Sequence, residues 1–350
     1  MIIFTFAVLF FLILRFTVTL FNFLSNPKLS IFRSAFTSTV SIVVTVRNEE
    51  SNLLNLLDSI KTQDYNAYEV FIVHSGMDKT DELLVAEFCD KDQRFQLVRA
   101  SADDFSWLEE RAAGRYLLLL DSNTQIHKGL INALIYRTRV FKLGIISVVP
   151  SQIIRKFKQW LLLPLSDFVL LNMMPLRLIR LIKSPVLANA NSDCLFLDAE
   201  ICFEKQWLSR LDPVKGATEL LKIVKQDRVK AETLLGNHLI DRHSFLAENG
   251  ELDRAADNLR FYFNNNVFAA LIYVFLVVLG PIIILFGFDL NVLILPFGLI
   301  FLSRVMISFL TAQNPIYNLL LHPLQMLMLV VVYIRAITRQ LLTHSKHKTA

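Results

Sequence analysis

The chain has 350 residues, 54% of them hydrophobic, with a mean hydropathy of +0.46 and a formal net charge of +5. That apolar share exceeds the roughly 45–50% of soluble domains, which argues against a protein soluble along its whole length. The Lys and Arg residues are dispersed rather than interleaved with aromatics, so the basic balance is read through the membrane rules and speaks against a nucleic-acid partner.

Residues 1–24 are almost wholly apolar, with Arg15 the only charge. A bilayer needs about 20 such residues. No positive charge precedes the apolar run and no small-residue cleavage site follows it, so the segment reads as a retained transmembrane anchor rather than a signal peptide. Residues 38–266 have ordinary globular composition, long enough for one domain with its own core. Residues 267–288 and 290–310 read as further spans, and residues 318–337 as a fourth. Residues 338–350 form a basic tail. The three cysteines, Cys89, Cys194 and Cys202, are far apart and lack metal-ligand spacing, which points to a reducing compartment.

The central segment alternates between two hydrophobic periods. Strands are expected at residues 40–46, 69–73, 95–99, 116–120 and 144–149, and helices at residues 50–61, 80–89 and 128–141. Alternation of this kind implies an α/β domain with a mainly parallel sheet, whose ligands bind beyond the carboxyl ends of the strands. Residues 160–183 are apolar, broken by Pro164 and Pro175, and end in Arg177, Arg180 and Lys183. An interfacial helix resting on the bilayer fits that pattern. Size and Lys/Arg content place the middle segment on the cytoplasmic side of the inner membrane. Three spans after it would leave the basic tail outside, and the sequence does not resolve that parity.

Three stretches stand out: residues 40–65 (VSIVVTVRNEESNLLNLLDSIKTQDY), residues 114–134 (GRYLLLLDSNTQIHKGLINAL) and residues 319–337 (LLLHPLQMLMLVVVYIRAI). Together they resemble glycosyltransferase family 2, especially bacterial integral-membrane members acting on carotenoid or hopanoid lipids. The resemblance implies a GT-A nucleotide-binding domain, a nucleotide-sugar donor, a lipid or lipid-linked acceptor, and a divalent cation, Mg²⁺ or Mn²⁺. Arg47, Asn48 and Glu49 would then cup the nucleotide; Asn48 reads equally as a helix N-cap. Gly76 matches a donor loop whose two acids are absent, with Asp78 available from a shifted position. Arg111 is a candidate diphosphate contact and also reads as part of a solvated helix face.

Asp121 and Asn123 stand where the family usually has Asp-x-Asp, the pair that holds the metal. An amide oxygen can ligate a hard cation but brings no charge. Asn189, Asn191 and Asp193 precede an expected strand at 194–197 and match the acceptor-side turn. Glu219 matches the acid that deprotonates the acceptor hydroxyl; the alternative is an ordinary acid in a first helical turn. Arg260 matches a phosphate-side position and serves equally as a positive-inside anchor. The resemblance thus implies an inverting glycosyltransferase. The altered donor side leaves a second reading open, a catalytically degenerate relative with a binding or scaffolding role.

Overall fold

The computed structural model describes residues 2–32, 36–46, 52–74, 79–101, 105, 107–211, 216–244, 248–287 and 290–348. In chain order the elements are α1 (Ile2–Ser25), β1 (Val40–Val46), α2 (Leu53–Lys61), β2 (Tyr68–His74), α3 (Lys79–Lys91), β3 (Phe95–Arg99), α4 (Leu108–Arg111) and β4 (Tyr116–Asp121). There follow β5 (Thr124–Ile126), α5 (Leu130–Phe141), β6 (Leu143–Val149), β7 (Ser151–Ile153), α6 (Phe157–Met173), α7 (Leu176–Leu181), β8 (Cys194–Asp198) and α8 (Ala199–Glu204). The last are α9 (Gly216–Gln226), β9 (Lys230–Leu235), β10 (Ile240–His243), α10 (Glu248–Tyr262), α11 (Val267–Gly287), α12 (Leu290–Leu310), α13 (Pro315–Leu320) and α14 (His322–Lys348). They form two compact units, an α/β unit of Pro27–Ile153 and Leu176–Phe245, and a helical unit of Met1–Asn26, Ile154–Pro175 and Leu246–Ala350.

The α/β unit is built on a seven-stranded sheet in the order β3-β2-β1-β4-β8-β6-β9. The β3-β2-β1-β4 run and the β6/β9 pair are parallel, while β8 runs antiparallel between β4 and β6. Expectation and structure agree on a mainly parallel sheet. All seven residues of β1 are buried, as a β-branched run covered on both faces requires. Leu53, Leu56, Leu57 and Ile60 of α2 close one face of the core, and burying each such side chain stabilises by about 1.5–3 kcal/mol. At the base of β4, Gly114 admits no side chain: a Cβ would lie 2.3 Å from the Ser41 amide nitrogen. Its own N–H donates to Ser41 Oγ at 2.9 Å, locking β4 beside β1. A second, three-stranded sheet has the order β5-β10-β7, with Arg242 of β10 in register with Thr124 and with Gln152.

Among its described residues the helical unit contains four helices long and apolar enough to cross a membrane: Phe4–Ser25, Val267–Phe286, Leu293–Leu310 and His322–Leu341. Asn22 Nδ2 donates to the carbonyls of Leu171 and Met174 at 3.0 and 2.8 Å, pinning α1 to the end of α6. Arg335 and Arg339 of α14 pair with Asp253 and Asp257 of α10 at 2.5 and 2.9 Å.

Three boundaries differ from the sequence reading. Residues 160–183 are two helices, α6 in the helical unit and α7 in the α/β unit. Pro175 cannot continue the hydrogen-bond ladder of α6 and disfavours α geometry at the residue before it, and Met174 is indeed extended. The expected central domain of 38–266 therefore loses Ile154–Pro175 and everything from Leu246 onward to the helical unit. Finally, residues 338–348 continue α14 instead of forming a separate tail, since Arg, Gln, Leu and Lys are good helix formers.

Candidate functional site

At the carboxyl end of β4 the chain makes a tight turn around the Asp121 carboxylate. Asp121 Oδ1 accepts from the Asn123 amide at 3.0 Å, and the Thr124 hydroxyl donates to the Asp121 carbonyl at 2.7 Å. A short polar side chain that takes up the amide two residues on is the usual reason Asp starts such a turn. The far side of the turn is held by β10, whose His243 N–H donates to the Asn123 carbonyl at 3.0 Å. β5 and β10 thus begin and end where the Asp121 turn needs support.

A second turn of the same kind precedes β8. Asn191 Oδ1 accepts from the Asp193 amide at 2.7 Å. The two turns are joined directly, because the Asp121 N–H donates to the Asp193 carbonyl at 3.0 Å. Four neighbouring elements fasten the Asn189–Asp193 stretch. Ser147 of β6 accepts from the Asn191 amide at 2.8 Å. Thr233 of β9 donates to the Asn189 carbonyl at 2.5 Å. Thr218 of α9 lies 3.3 Å from both the Ala190 nitrogen and its carbonyl oxygen. Arg242 of β10 sets its Nε 3.8 Å from Asp193 Oδ2, with 2% and 1% of those two side chains exposed. The Arg242 Nη1 also donates to Gln152 of β7 at 3.4 Å.

The structure therefore gathers Asp121, Asn123, Asn189, Asn191 and Asp193 into one hydrogen-bonded assembly at the carboxyl ends of β4 and β6. Glu219 follows Thr218 directly, so it stands one residue from the Ala190 anchor; its side chain is 25% exposed and lies 3.5 Å from Lys222 Nζ. Arg111 is exposed on the short α4, which is held by Leu108 in the core and by Trp107 packed edge-on to Phe71 at 5.3 Å. Arg260 belongs to the helical unit, where it faces Asp257 at 3.5 Å. Arg47, Asn48, Glu49, Gly76 and Asp78 lie outside the described residues.

Asn123 Oδ1 is buried without a hydrogen-bond donor among the described residues. A buried carbonyl oxygen two positions from a carboxylate is an oxygen donor set of the type hard cations take, so Asp121 and Asn123 fit a divalent ion. Among the described residues no group of three or more His, Cys, Asp or Glu side chains could hold a metal. Burial pushes the Cys202 thiol up to about 12 and raises Cys194 as well, so neither is a nucleophile near neutral pH.

Sequence reasoning missed Arg242, Gln152, Ser147 and Thr233. Arg242 lies on a four-residue strand, and its partners stand 49 and 90 positions away along the chain. No local period or spacing marks such a residue.

A sequence model described as glycosyl transferase family 2 matches residues 41–194. A search of curated proteins finds no match. Among solved structures, the chain is similar to the mannosyltransferase PcManGT from Pyrobaculum calidifontis, determined in complex with GDP-Man and Mn²⁺. That similarity has a TM-score of 0.52 at 13% identity and covers 95% of this chain and 99% of that one. Another match is S. aureus TarS 1-349 in complex with UDP-GlcNAc, with a TM-score of 0.46 at 12% identity over 86% of this chain and 91% of that one. The strand order and the similarity to the mannosyltransferase structure show a GT-A-like fold, and the stretch that matches the glycosyl transferase family 2 model, residues 41–194, runs from β1 to the start of β8 within it.

Proposed function

We propose that the chain is an inverting glycosyltransferase that moves a sugar from a nucleotide-sugar donor to a lipid or lipid-linked acceptor at the cytoplasmic face of the inner membrane. One observation carries the reading: the Asp121 and Asp193 turns are bonded to one another, and the first turn of α9, which bears Glu219, is bonded to the same stretch at Ala190. That shared frame supports reading Asp121 as the donor-side carboxylate and Glu219 as the base.

In the proposed reaction the acceptor hydroxyl oxygen bonds to the anomeric carbon opposite the nucleoside diphosphate. The bond from that carbon to the diphosphate oxygen breaks, and Glu219 takes the hydroxyl proton. A cation bound by Asp121 and Asn123 would offset the charge developing on the leaving diphosphate. Asp193, with Arg242 behind it, keeps the turn that carries Asn189 and Asn191 toward the acceptor. The lipid nature of the acceptor is supported by the four apolar helices.

A second reading, a glycosyltransferase-fold protein that binds without catalysing, is favoured by one observation: an uncharged amide, Asn123, stands where a second carboxylate would strengthen metal binding. The two separate in one experiment. Purified full-length protein is offered a panel of radiolabelled nucleotide sugars with Mn²⁺ or Mg²⁺ and a native lipid extract. Label moving into the lipid phase supports transfer. Binding of UDP or GDP with no transfer from any donor overturns it in favour of the second reading.

A further inference from the structure

Charge is spread unevenly along the α/β unit. Its stretches 122–153 and 176–192 contain no Asp or Glu, yet they carry seven Lys and Arg residues. The fold gathers three of these at one place. Arg137 of α5 and Arg177 and Arg180 of α7 converge on Glu232 of β9, whose side chain is fully buried. Arg137 donates to it through Nε and Nη2 at 2.8 and 2.7 Å. Arg177 Nη1 and Arg180 Nη1 both stand 3.3 Å from Glu232 Oε1. Phe141, one turn beyond Arg137, lies against two of the guanidiniums, 4.5 Å from Arg137 and 3.8 Å from Arg180. One carboxylate offsets one guanidinium, so the end of α7 is strongly basic. The three arginine side chains keep 13, 21 and 18% of their surface open.

Aliphatic side chains adjoin this basic end. Leu181, Ile182 and Val186 are 65, 39 and 71% exposed, and Lys183 between them is exposed as well. The backbone that carries them is fastened. The Ile182 N–H donates to the Leu178 carbonyl at 2.8 Å, and Ser184 Oγ accepts from the Val186 N–H at 3.3 Å. The buried Lys225 ammonium of α9 donates to the carbonyls of Ile182 and Ser184 at 2.9 and 3.3 Å. Single exposed apolar residues are ordinary, but three within six residues on a fixed turn make a patch that calls for a partner.

Exposed aliphatic side chains interleaved with cations, and with no acid among them, match an anionic bilayer surface. Connectivity favours the same occupant. Leu176 follows Pro175, which ends a segment of the helical unit, and that unit holds the four span-length helices. Within residues 160–183, α6 is largely buried, so the exposed apolar side chains lie at the end of the stretch and just beyond it. A second copy of the chain fits less well, because a two-fold contact would set the same cations against one another.

We propose that Leu181, Ile182, Lys183 and Val186, backed by Arg177 and Arg180, form a docking surface that seats the α/β unit on anionic phospholipid headgroups. The three aliphatic side chains enter the acyl boundary, while Lys183 and the open edges of the two arginines meet phosphate oxygens. Glu232 holds the guanidiniums in place before contact, which lowers the ordering cost of docking. Docking of this kind needs no cavity and is independent of glycosyl transfer.

The test uses the full-length chain with Cys89→Ser, since Cys194 and Cys202 are buried. A spin label is attached through Val186→Cys or Leu181→Cys, or for reference through Leu83→Cys at an exposed position of α3. Each protein is reconstituted in bilayers of phosphatidylcholine alone or mixed with phosphatidylglycerol. Power saturation then reads access to dissolved oxygen and to a water-soluble nickel chelate. With phosphatidylglycerol present, the labels at 181 and 186 should be open to oxygen and shielded from the chelate, and the label at 83 should not. Lys183→Gln leaves the Glu232 cluster intact and should lower the ratio of docked to free label by about fivefold, the share of one basic side chain at an anionic surface. Labels at 181 and 186 as open to the chelate as the one at 83 overturn the proposal. Equal shielding in both bilayers, or undiminished shielding in Lys183→Gln, overturns it by removing the role of charge. Dipolar broadening between labels on two chains assigns the face to a second copy and overturns it too.

Discussion

Arg242 on β10 and Asp193 before β8 face one another at 3.8 Å with almost no exposure of either. The pair ties the small sheet to the turn that supports the Asp121 amide. Removing one member of such a buried pair ordinarily costs about 3–5 kcal/mol, because the other charge keeps its desolvation penalty. Arg242→Met should therefore lower the denaturation midpoint of the purified protein markedly, and Arg242→Met with Asp193→Asn should recover much of the loss. A double variant no more stable than Arg242→Met alone would show that the two charges are not coupled.

The proposed cation would be held by Asp121 and Asn123. Asp121→Ala should reduce Mn²⁺ affinity and lower turnover by on the order of 10²-fold, since charge stabilisation of a leaving group contributes several kcal/mol. Asn123→Asp adds a charged ligand at a buried oxygen position and should tighten Mn²⁺ binding, as measured by paramagnetic resonance of free Mn²⁺. Unchanged affinity in both variants would remove this pair from the metal site.

Glu219→Gln keeps the shape of the side chain and its place beside Thr218 but cannot take a proton. The expected outcome is a large fall in kcat with nucleotide affinity within about twofold of wild type, the signature of a group that acts after the donor has bound. Thr218→Val, by contrast, loses the Ala190 contacts and should raise the acceptor KM as well. A Glu219→Gln enzyme of normal kcat would end its assignment as the base.

Lys225 on α9 is buried, with its ammonium donating to the carbonyls of Ile182 and Ser184 at 2.9 and 3.3 Å. Burial pulls it down to about 8 from the ordinary lysine range near 10.5. The unfolded chain therefore holds more protons between those two values, and stability rises with pH through that window. Below about pH 8 both states are protonated and the desolvation penalty is constant. Thermal shift from pH 7 to 10 should show this rise in the wild type and a flatter profile in Lys225→Met. Identical profiles would mean that Lys225 stays charged.

The proposed orientation has a direct check. Reporter fusions at Gly76 and Gly250 should both give cytoplasmic activity, because a large segment rich in Lys and Arg resists export. A periplasmic signal at either position would reverse the topology.

Much of the fold was legible because it is written in short-range periods. The seven-residue run of β1 and the five of β3 were expected at the residues where they occur, since a β-branched or alternating stretch admits few other conformations. The four apolar stretches were equally plain, as length and composition alone make a helix able to span a bilayer. Asp121 could be located for the same reason: a polar residue ending a buried strand stands at the carboxyl edge of a parallel sheet. What the sequence did not disclose is how distant segments meet. The split of residues 160–183 at Pro175 shows only once α7 is seen packing with β9 in one unit and α6 bonding to α1 in the other. Arg242 gains its role from Asp193 and Gln152, and Glu232 its three arginines from α5 and α7. Local propensity and hydrophobic patterning act within a turn or a strand and are readable in one dimension. Whether a buried charge finds its counter-charge depends on which elements are neighbours in space, and only the tertiary structure decides that.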